Sequence, residues 1–346
     1  PVFKSLNSIL PNARIVSTGQ HKEMLDRTFE IFGIRPSIDL DLMRKNQSPE
    51  EILISAINKL HKQWSQSKPD LVVVQGDTVS TLAGAMASFY KKIPIAHVEA
   101  GLRTGNMWKP FPEESHRKMV AAMSSIHFAP TAGAAKNLIN EGYDKKAVFI
   151  VGNTVVDAFK SMPLQNKWIP NEIIDPHKKW VLVTAHRREN HGQGLANICR
   201  AILKIRDTHK DIEVIFPVHL NPNVQSVIKQ LLCNEDRVHL MPPLDYIDFN
   251  QLLRKSYIIL TDSGGIQEEA PSFNIPVLVL RNRTERPEVL DAGLAKLVGT
   301  CQSKIFNEVS KLILDSEAYK SMSEGISPFG DGEISGRNTR KNKSIF

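Results

Sequence analysis

Residues 257–270 read YIILTDSGGIQEEA, and this stretch decides the fold class of the chain. A β-branched apolar run ends at Thr261, a serine and two glycines follow, and a helical segment begins. This order is typical of a strand end in a parallel α/β sheet, where ligands bind. Backbone N–H groups at such a helix start can hold a diphosphate, and Glu269, one turn later, can accept both hydroxyls of a ribose.

The same residues have a structural interpretation. Ser263 could simply cap a helix whose first turn carries acids. The glycine pair favours phosphate binding, because glycine lets a ligand approach the backbone closely. The stretch is neither a Walker loop nor a GxGxxG fingerprint, which disfavours ATP and NAD.

Outward from this stretch, short apolar runs alternate with amphipathic segments along the chain. Several runs are apolar at consecutive positions, as in parallel strands buried on both faces. The alternation predicts doubly wound α/β sheets. The predicted strands are Arg14–Ser17, Leu71–Val74, Ile93–Val98, Val148–Val151, Val181–Thr184, Glu213–Phe216, Tyr257–Thr261 and Val277–Leu280. The predicted helices include Glu50–Trp64, Ser80–Tyr90, Ala132–Glu141, Leu195–Asp207 and Pro222–Leu232.

The length of 346 residues suits two domains better than one. From Met162 to Lys179 the chain turns polar and proline-bearing, which is typical of a linker, and the alternation restarts at Trp180. We therefore predict a Rossmann-like domain over residues 1–156, a second over 157–326, and a tail over 327–346.

Composition excludes several classes of protein. Hydrophobic residues make up 41% and charged residues 23%, as in ordinary globular chains. No apolar run approaches the roughly 18 residues of a membrane span. The three cysteines lack metal-ligand spacing, which predicts no metal site and a reduced, cytoplasmic protein. Part of the net charge of +7 comes from basic residues at the end of the chain, which we expect to be solvated. The remaining excess is mild and suits an anionic small ligand rather than nucleic acid or a membrane.

Two acids follow strands in the first predicted domain. Asp77 lies in VQGDT, where it could be a helix N-cap or a catalytic group. Glu99 lies in HVEAGLRTG, ahead of a glycine-bracketed arginine loop. The structural alternative for Glu99 is an ordinary ion pair with Arg103.

Three further segments place titratable groups at expected element ends. In PFPEESHR, Glu113 starts a helix, where an acid also simply favours the positive end of the dipole. In TAHRREN, His186 and Arg187 follow a strand and could carry a proton and hold phosphate, against a solvated charge run as the alternative. His219, in PVHLNP, is by itself more often structural.

Together these motifs resemble the non-hydrolysing UDP-N-acetylglucosamine 2-epimerases. The resemblance runs from QHKEM at Gln20 to GDG ending at Gly332 and includes GDT, HVEAGLRTG, PFPEE, HRREN, PVHLNPNV, TDSGGIQEEAP and TERPE. It implies the glycosyltransferase-B architecture, with two Rossmann-like domains around a central cleft and the tail returning to the first. It also implies a homodimer and no cofactor.

The resemblance also implies roles for individual residues. Acid–base work is implied for Asp77, Glu99, Glu113 and His186. UDP binding is implied for Phe249, Ser263, Gly264, Gly265, Glu269 and Arg286. An allosteric site for a second UDP-sugar, described in some members, is implied for Gln20, His21, Arg187 and His219.

The implied reaction is reversible C2 epimerisation of UDP-N-acetylglucosamine to UDP-N-acetylmannosamine, by elimination and re-addition of UDP through 2-acetamidoglucal. Its expected place is the synthesis of surface polysaccharide. Two alternatives stay open: a hydrolysing relative that releases free N-acetylmannosamine and UDP, and a catalytically silent UDP-sugar-binding protein.

The start of the chain departs from the family pattern. Members normally begin with a β-strand and a GTRPE-type loop, whereas PVFKSL at Pro1 resembles the helix after that loop. The resemblance places the missing strand in the middle of the first sheet. We therefore expect the natural chain to be longer at its start.

Overall fold

The structure is a computed structural model that describes residues 1–20, 22–44, 47–108, 110–162, 174–284 and 286–330. The strands, in chain order, are β1 Val16–Ser17, β2 Ile38–Asp39, β3 Val72–Gln75, β4 Ile95–Val98, β5 Ile126–Ala129, β6 Val148–Ile150, β7 Lys179–Thr184, β8 Ile212–Pro217, β9 Val238–Met241, β10 Ile258–Thr261, β11 Val277–Val279 and β12 Ala295–Leu297. The α-helices are α1 Val2–Ile9, α2 Lys22–Phe32, α3 Pro49–Gln66, α4 Val79–Tyr90, α5 Glu113–Met123, α6 Ala132–Asn140, α7 Thr154–Ser161, α8 Gln193–Thr208, α9 Pro222–Leu232, α10 Tyr246–Lys255, α11 Gly264–Glu269, α12 Pro287–Asp291, α13 Gln302–Leu314 and α14 Ser316–Ser323.

The chain forms two compact units. One comprises Pro1–Ser161 together with Phe329, whose carbonyl accepts a hydrogen bond from the Asn153 backbone N–H at 2.8 Å; the other comprises Met162–Pro328. The predicted domain limits at 156 and 326 stay predictions. Among the described residues, no helix is long and apolar enough to cross a bilayer.

The first unit contains parallel strands only, among those described. β1 pairs with β2 as a two-stranded ladder, and β3, β4, β5 and β6 form a four-stranded sheet in chain order. Every residue of β4 and β5 is buried, as expected of inner strands covered on both faces by helices. The carboxyl ends of β3 and β4 therefore meet at one edge of this sheet.

The second unit holds a six-stranded parallel sheet in the order β12-β11-β10-β7-β8-β9. The chain winds outward from β7 to β9 and then returns to the other side of β7 through β10. This reversal makes the boundary between β7 and β10 a switch point, where doubly wound sheets bind ligands. A continuous core of apolar side chains from β7, β8 and β10 packs on α8, α9 and α13.

Each strand predicted from the sequence has a counterpart in the structure, and so does each predicted helix. The sequence analysis missed β2, β5, β9 and β12. These strands have two to four residues, over which hydrophobic periodicity is a weak signal, although β1, β3 and β11, which are as short, were predicted.

Candidate functional site

The switch point of the second unit brings two predicted motifs together. β7 and β10 pair in register, with Thr184 opposite Thr261, and the two hydroxyl oxygens lie 2.6 Å apart. The residues that follow each threonine therefore leave the sheet side by side. One of these loops carries His186 and the other leads into Ser263.

Asp262 joins the two loops. Its side chain is fully buried, and Oδ2 accepts hydrogen bonds from the backbone N–H groups of His186 (2.9 Å) and Arg187 (2.8 Å) and from the Asn190 amide (2.9 Å). Three donors saturate this one oxygen of the buried carboxylate. They also tie the start of the HRREN loop to the end of β10, whereas the side chains of Arg188 and Glu189 are exposed.

His186 packs against His219. The two imidazole rings are stacked at 5.4 Å between centroids with 18° between their planes. Burial lowers the pKa of His186, the charge of Asp262 opposes that shift, and His219 and Arg187 reinforce it. The His186 imidazole is therefore mainly neutral at pH 7 in the unliganded protein.

The helix start at Ser263 leaves room beside its glycines. Ser263 is the N-cap of α11, but its side chain makes no capping hydrogen bond. A Cβ atom added to Gly264 would meet nothing within 4 Å, and one added to Gly265 would lie 3.9 Å from the Ser263 hydroxyl oxygen. Ser263 is therefore the N-cap by backbone position although its hydroxyl does not cap the helix, and no side chain fills the space into which a Cβ on Gly264 would point.

Two buried acids follow the glycines. Burial, and then the neighbouring charge of Glu268, raise the pKa of Glu269 to about 8. Glu268 forms an ion pair with Nε of Arg286, so that arginine, predicted to hold UDP, already has a carboxylate partner. Gln267 connects the same segments, since its amide donates to the Ser263 carbonyl at 3.0 Å and its oxygen accepts from Thr284 at 2.5 Å.

Phe249 lies half-buried on α10, which begins after the N-cap Asp245. From the first turn of this helix, Tyr246 comes close enough to Glu269 for that carboxylate, after burial, to raise the pKa of the phenol. The helix that carries Phe249 therefore packs near the predicted ribose-binding acid.

In the first unit, Asp77 lies in the turn between β3 and α4. Gly76 adopts a φ of 75°, and the N-cap of α4 is Thr78, whose side chain accepts from the Thr81 N–H. The N-cap interpretation of Asp77 is therefore wrong by one residue. Its Oδ2 instead accepts from Arg117 Nε at 2.8 Å and pairs with the Arg117 Nη2 at 2.7 Å.

Glu99 lies beside the same turn. It has a φ of 65°, a left-handed conformation that costs energy for a side-chain-bearing residue. Its Oε2 lies 3.9 Å from the position that a Cβ atom on Gly76 would take. Arg103, the predicted structural partner of Glu99, forms a two-pronged ion pair with Glu141, with both nitrogen–oxygen distances at 2.8 Å.

Glu113 and Glu114 open α5 but have different surroundings. Glu114 is fully buried and accepts from the N–H groups of Thr104 (3.1 Å) and Gly105 (3.2 Å) and from Arg117 (3.2 Å). Oε2 of Glu113 is also buried, yet it has no hydrogen-bond partner among the described residues. An unpaired buried carboxylate oxygen is costly for the folded chain, which points to a ligand or reacting group as its partner.

Two histidines hold the Gly76–Asp77 turn through hydrogen bonds to its backbone carbonyls. His97 donates from Nε2 to the Gly76 carbonyl, and His116 donates from Nδ1 to the Asp77 carbonyl, each at 2.8 Å. Burial lowers the pKa of His97 to about 4, so it stays neutral. In the first unit, Asp77 and Glu99 therefore lie at the same turn, and Arg117 joins Asp77 to Glu114 of α5.

The predicted allosteric residues divide between the units. Arg187 and His219 lie against His186 in the second unit. In the first, the Gln20 amide oxygen accepts from Ser80 at 2.8 Å. His21 lies outside the described residues. Within the residues the structure describes, no group of three or more His, Cys, Asp or Glu side chains is arranged to hold a metal ion.

Sequence reasoning gave no role to four residues that organise these sites: Asp262, Glu114, Arg117 and Glu268. Asp262 stood inside the quoted motif, directly after a strand, and that position was a usable signal. The other three depend on contacts made across the fold, which residue spacing does not reveal.

Comparison with known proteins identifies the family of this chain. The family model described as UDP-N-acetylglucosamine 2-epimerase matches residues 9–341. The chain belongs to the UDP-N-acetylglucosamine 2-epimerase family. The UDP-N-acetylglucosamine 2-epimerase of Campylobacter jejuni is 47% identical over 335 residues, which cover 93% of this chain and 87% of that protein.

Two solved structures of related proteins resemble this chain in their fold. A crystal structure of a Listeria monocytogenes homologue matches with a TM-score of 0.94 and 40% identity, covering 100% of this chain and 92% of that one. The UDP-GlcNAc 2-epimerase of Neisseria meningitidis, solved bound to UDP-GlcNAc, matches with a TM-score of 0.84 and 41% identity over 99% and 95% of the two chains. The predicted family and the glycosyltransferase-B-type α/β fold are confirmed.

Proposed function

We propose that this chain interconverts UDP-N-acetylglucosamine and UDP-N-acetylmannosamine by inverting C2, as an epimerase of the non-hydrolysing kind. One observation carries the assignment to this chain beyond its family membership. The buried, unpaired Oε2 of Glu113 stands at the start of α5, whose Arg117 binds the carboxylate of Asp77. Acids gathered in this way suit proton transfer at a carbon.

The chemistry explains why several acids are needed. The C2–H bond of a pyranose is not acidic, so a carboxylate cannot remove the proton directly. Breaking the C1–O bond to UDP gives C1 oxocarbenium character, which acidifies C2–H. A carboxylate then takes the C2 proton, leaving 2-acetamidoglucal and UDP. UDP adds back to C1 while a proton reaches C2 from the opposite face, so acid–base groups serve both faces.

We assign Asp77, Glu99 and Glu113 jointly to these proton transfers. The Ser263–Gly265 backbone and the His186 imidazole stabilise the charge that develops on departing UDP. Arg286 adds its positive charge to this stabilisation, and Phe249 and Glu269 hold the nucleoside. The allosteric role of Gln20, His21, Arg187 and His219 stays part of this proposal.

The reaction also needs water exclusion, because a released glucal would be lost. We propose that the two Rossmann-like domains, 1–156 and 157–326, close around a central cleft with the tail 327–346 returning to the first. The reaction needs no cofactor, because the electrons of the broken bonds stay within the sugar and UDP.

We further propose a cytoplasmic homodimer that serves surface polysaccharide synthesis. An exposed apolar surface on the first unit supports the dimer. Phe89 and Tyr90 are 53% and 75% exposed, and with Ile93, Pro94 and Met123 they line a depression of about 540 Å³. Exposed apolar patches of this kind are typical of protein–protein contacts.

The product mixture separates this proposal from its alternatives. The chain is incubated with UDP-N-acetylglucosamine and followed by proton and phosphorus NMR. Epimerisation gives a steady mixture of two UDP-sugars from either starting epimer. Accumulating free N-acetylmannosamine and UDP would instead show a hydrolase, and unchanged substrate with measurable binding would show a silent binding protein.

A further inference from the structure

Asp262 and His186 leave neighbouring strands at matching positions. Because Thr184 pairs with Thr261 across β7 and β10, Asp262 comes one residue after its strand and His186 two residues after the adjacent one. The Asp262 carboxylate has no exposed surface. A buried charge held at this point affects whatever lies beside it far more strongly than a solvated one.

The two carboxylate oxygens have different surroundings. Oδ2 is saturated by the N–H groups of His186 and Arg187 and the Asn190 amide. Oδ1 lies 3.3 Å from His186 Nδ1 and makes no well-formed hydrogen bond with any described residue. The remaining oxygen thus lies beside Nδ1 of the His186 ring.

We propose that Asp262 is the positioning residue of His186: its Oδ1 receives the Nδ1–H of the imidazole and so leaves Nε2 to meet the phosphate oxygens of the nucleotide. This inference rests on the proposed function only for the ligand, since the pairing itself is internal to the second unit. In its neutral form His186 then carries its proton on Nδ1. When an anionic diphosphate binds, Nε2 takes a second proton from water, and that proton can stabilise departing UDP.

The groups around His186 make the charge of Asp262 decisive for the protonation state of the imidazole. His219 stacks on the ring, Arg187 follows in sequence, and His191 approaches the His186 carbonyl through Nε2 at 3.3 Å. Burial, His219 and Arg187 all lower the pKa of His186, and Asp262 raises it. Without the Asp262 charge, the remaining influences would keep the imidazole neutral when the diphosphate needs an imidazolium.

The test is nitrogen NMR of the full chain labelled with ¹⁵N-histidine, with the His186 signals assigned by their loss in His186→Gln. In the wild type we expect the Nδ1–H tautomer and a pKa that rises when UDP is added. In Asp262→Asn we expect the tautomer to change, the pKa of His186 to fall, and kcat to drop at least about tenfold, as for other orienting aspartates. Glu189→Gln removes a nearby exposed carboxylate, paired with Arg281, and should change none of these.

An Nε2–H tautomer of His186 in the wild type would overturn the proposal. This measurement needs only the wild-type chain, so it is decisive even if Asp262→Asn does not fold. An Asp262→Asn chain that folds and keeps the wild-type tautomer and pKa would overturn it as well. If the wild type does not epimerise UDP-N-acetylglucosamine, the proposed function fails, while the tautomer still decides the role of Asp262.

Discussion

At the scale of single residues, the site depends on how each acid is partnered. Asp77 and Glu114 share Arg117, whereas the buried Oε2 of Glu113 has no partner among the described residues. The two adjacent glutamates therefore differ in their surroundings: Glu114 holds the loop before α5, and Oε2 of Glu113 is buried without such a partner among the described residues. The resemblance named Glu113 and not Glu114 as a candidate, but residue spacing could not show how their surroundings differ, because the difference is made by the distant N–H groups of Thr104 and Gly105.

Amide replacement of the three acids tests that division. We expect Asp77→Asn, Glu99→Gln and Glu113→Gln each to lower the epimerisation rate by about 10²- to 10⁴-fold, the usual contribution of a positioned acid or base. UDP affinity, measured by titration calorimetry, should stay within a few-fold. Glu50→Gln, on the exposed first turn of α3, is the matched control. Unchanged turnover in all three variants would contradict the assignment.

Glu269 should make stability depend on pH. Its pKa is raised from 4.5 to about 8 in the folded chain, so between these values the folded state holds a proton that the unfolded state has released. The free energy of unfolding therefore falls as pH rises through that window, by up to about 1.4 kcal/mol per pH unit. Glu269→Gln should lose this contribution. Thermal unfolding of both chains at pH 6 and pH 8 measures it; an identical pH response would contradict it.

At the scale of elements, parallel strands and the turns after them place the chemistry. The apolar runs before Asp77, Glu99, His186 and Ser263 were enough to predict β3, β4, β7 and β10. Register was not predictable, because it depends on pairing between strands far apart in sequence. For this reason Asp262 went unassigned although it lay inside the most specific motif. The short strand β5 was also not predicted from the sequence, although it lies between β4 and β6 in the sheet.

Gly101 tests the close approach behind Glu99. A Cβ atom there would lie 2.3 Å from the Ala134 carbonyl oxygen at the start of α6, and φ is 88°. Gly101→Ala should therefore destabilise the chain by more than the roughly 1–2 kcal/mol of left-handed strain alone. Gly105→Ala is the control, since it has a φ of 74° with nothing within 4 Å. Equal losses in urea unfolding would contradict a steric cause.

At the scale of the whole molecule, strand–helix alternation and motif order predicted the family and the fold, which the match over residues 9–341 confirms. Assembly is a different matter. The sequence of one chain does not show which surface contacts a partner. An exposed aromatic residue such as Tyr90 looks the same in the sequence as any other residue at a helix end. The structure adds the exposure of Phe89 and Tyr90, which stand edge to face at 5.9 Å.

Charge placed on that surface should break the proposed dimer. Tyr90→Glu exposes no core residue, so the fold should hold while the mass in solution falls from about two chains to one, because burying an unpaired carboxylate in an interface is costly. Light scattering during size exclusion measures this. Asn58→Glu, at an exposed position on α3, is the control that adds the same single negative charge elsewhere. A dimer that persists in Tyr90→Glu would place the interface elsewhere.

In the proposed mechanism, loss of UDP is what makes the C2 proton removable. The most direct measurement is proton NMR of UDP-N-acetylglucosamine incubated with the wild-type chain in D₂O. We predict that deuterium enters C2 as the second epimer forms, and that a trace of UDP and 2-acetamidoglucal is detectable at long times. Epimer formation with the original proton retained at C2 would contradict the claim.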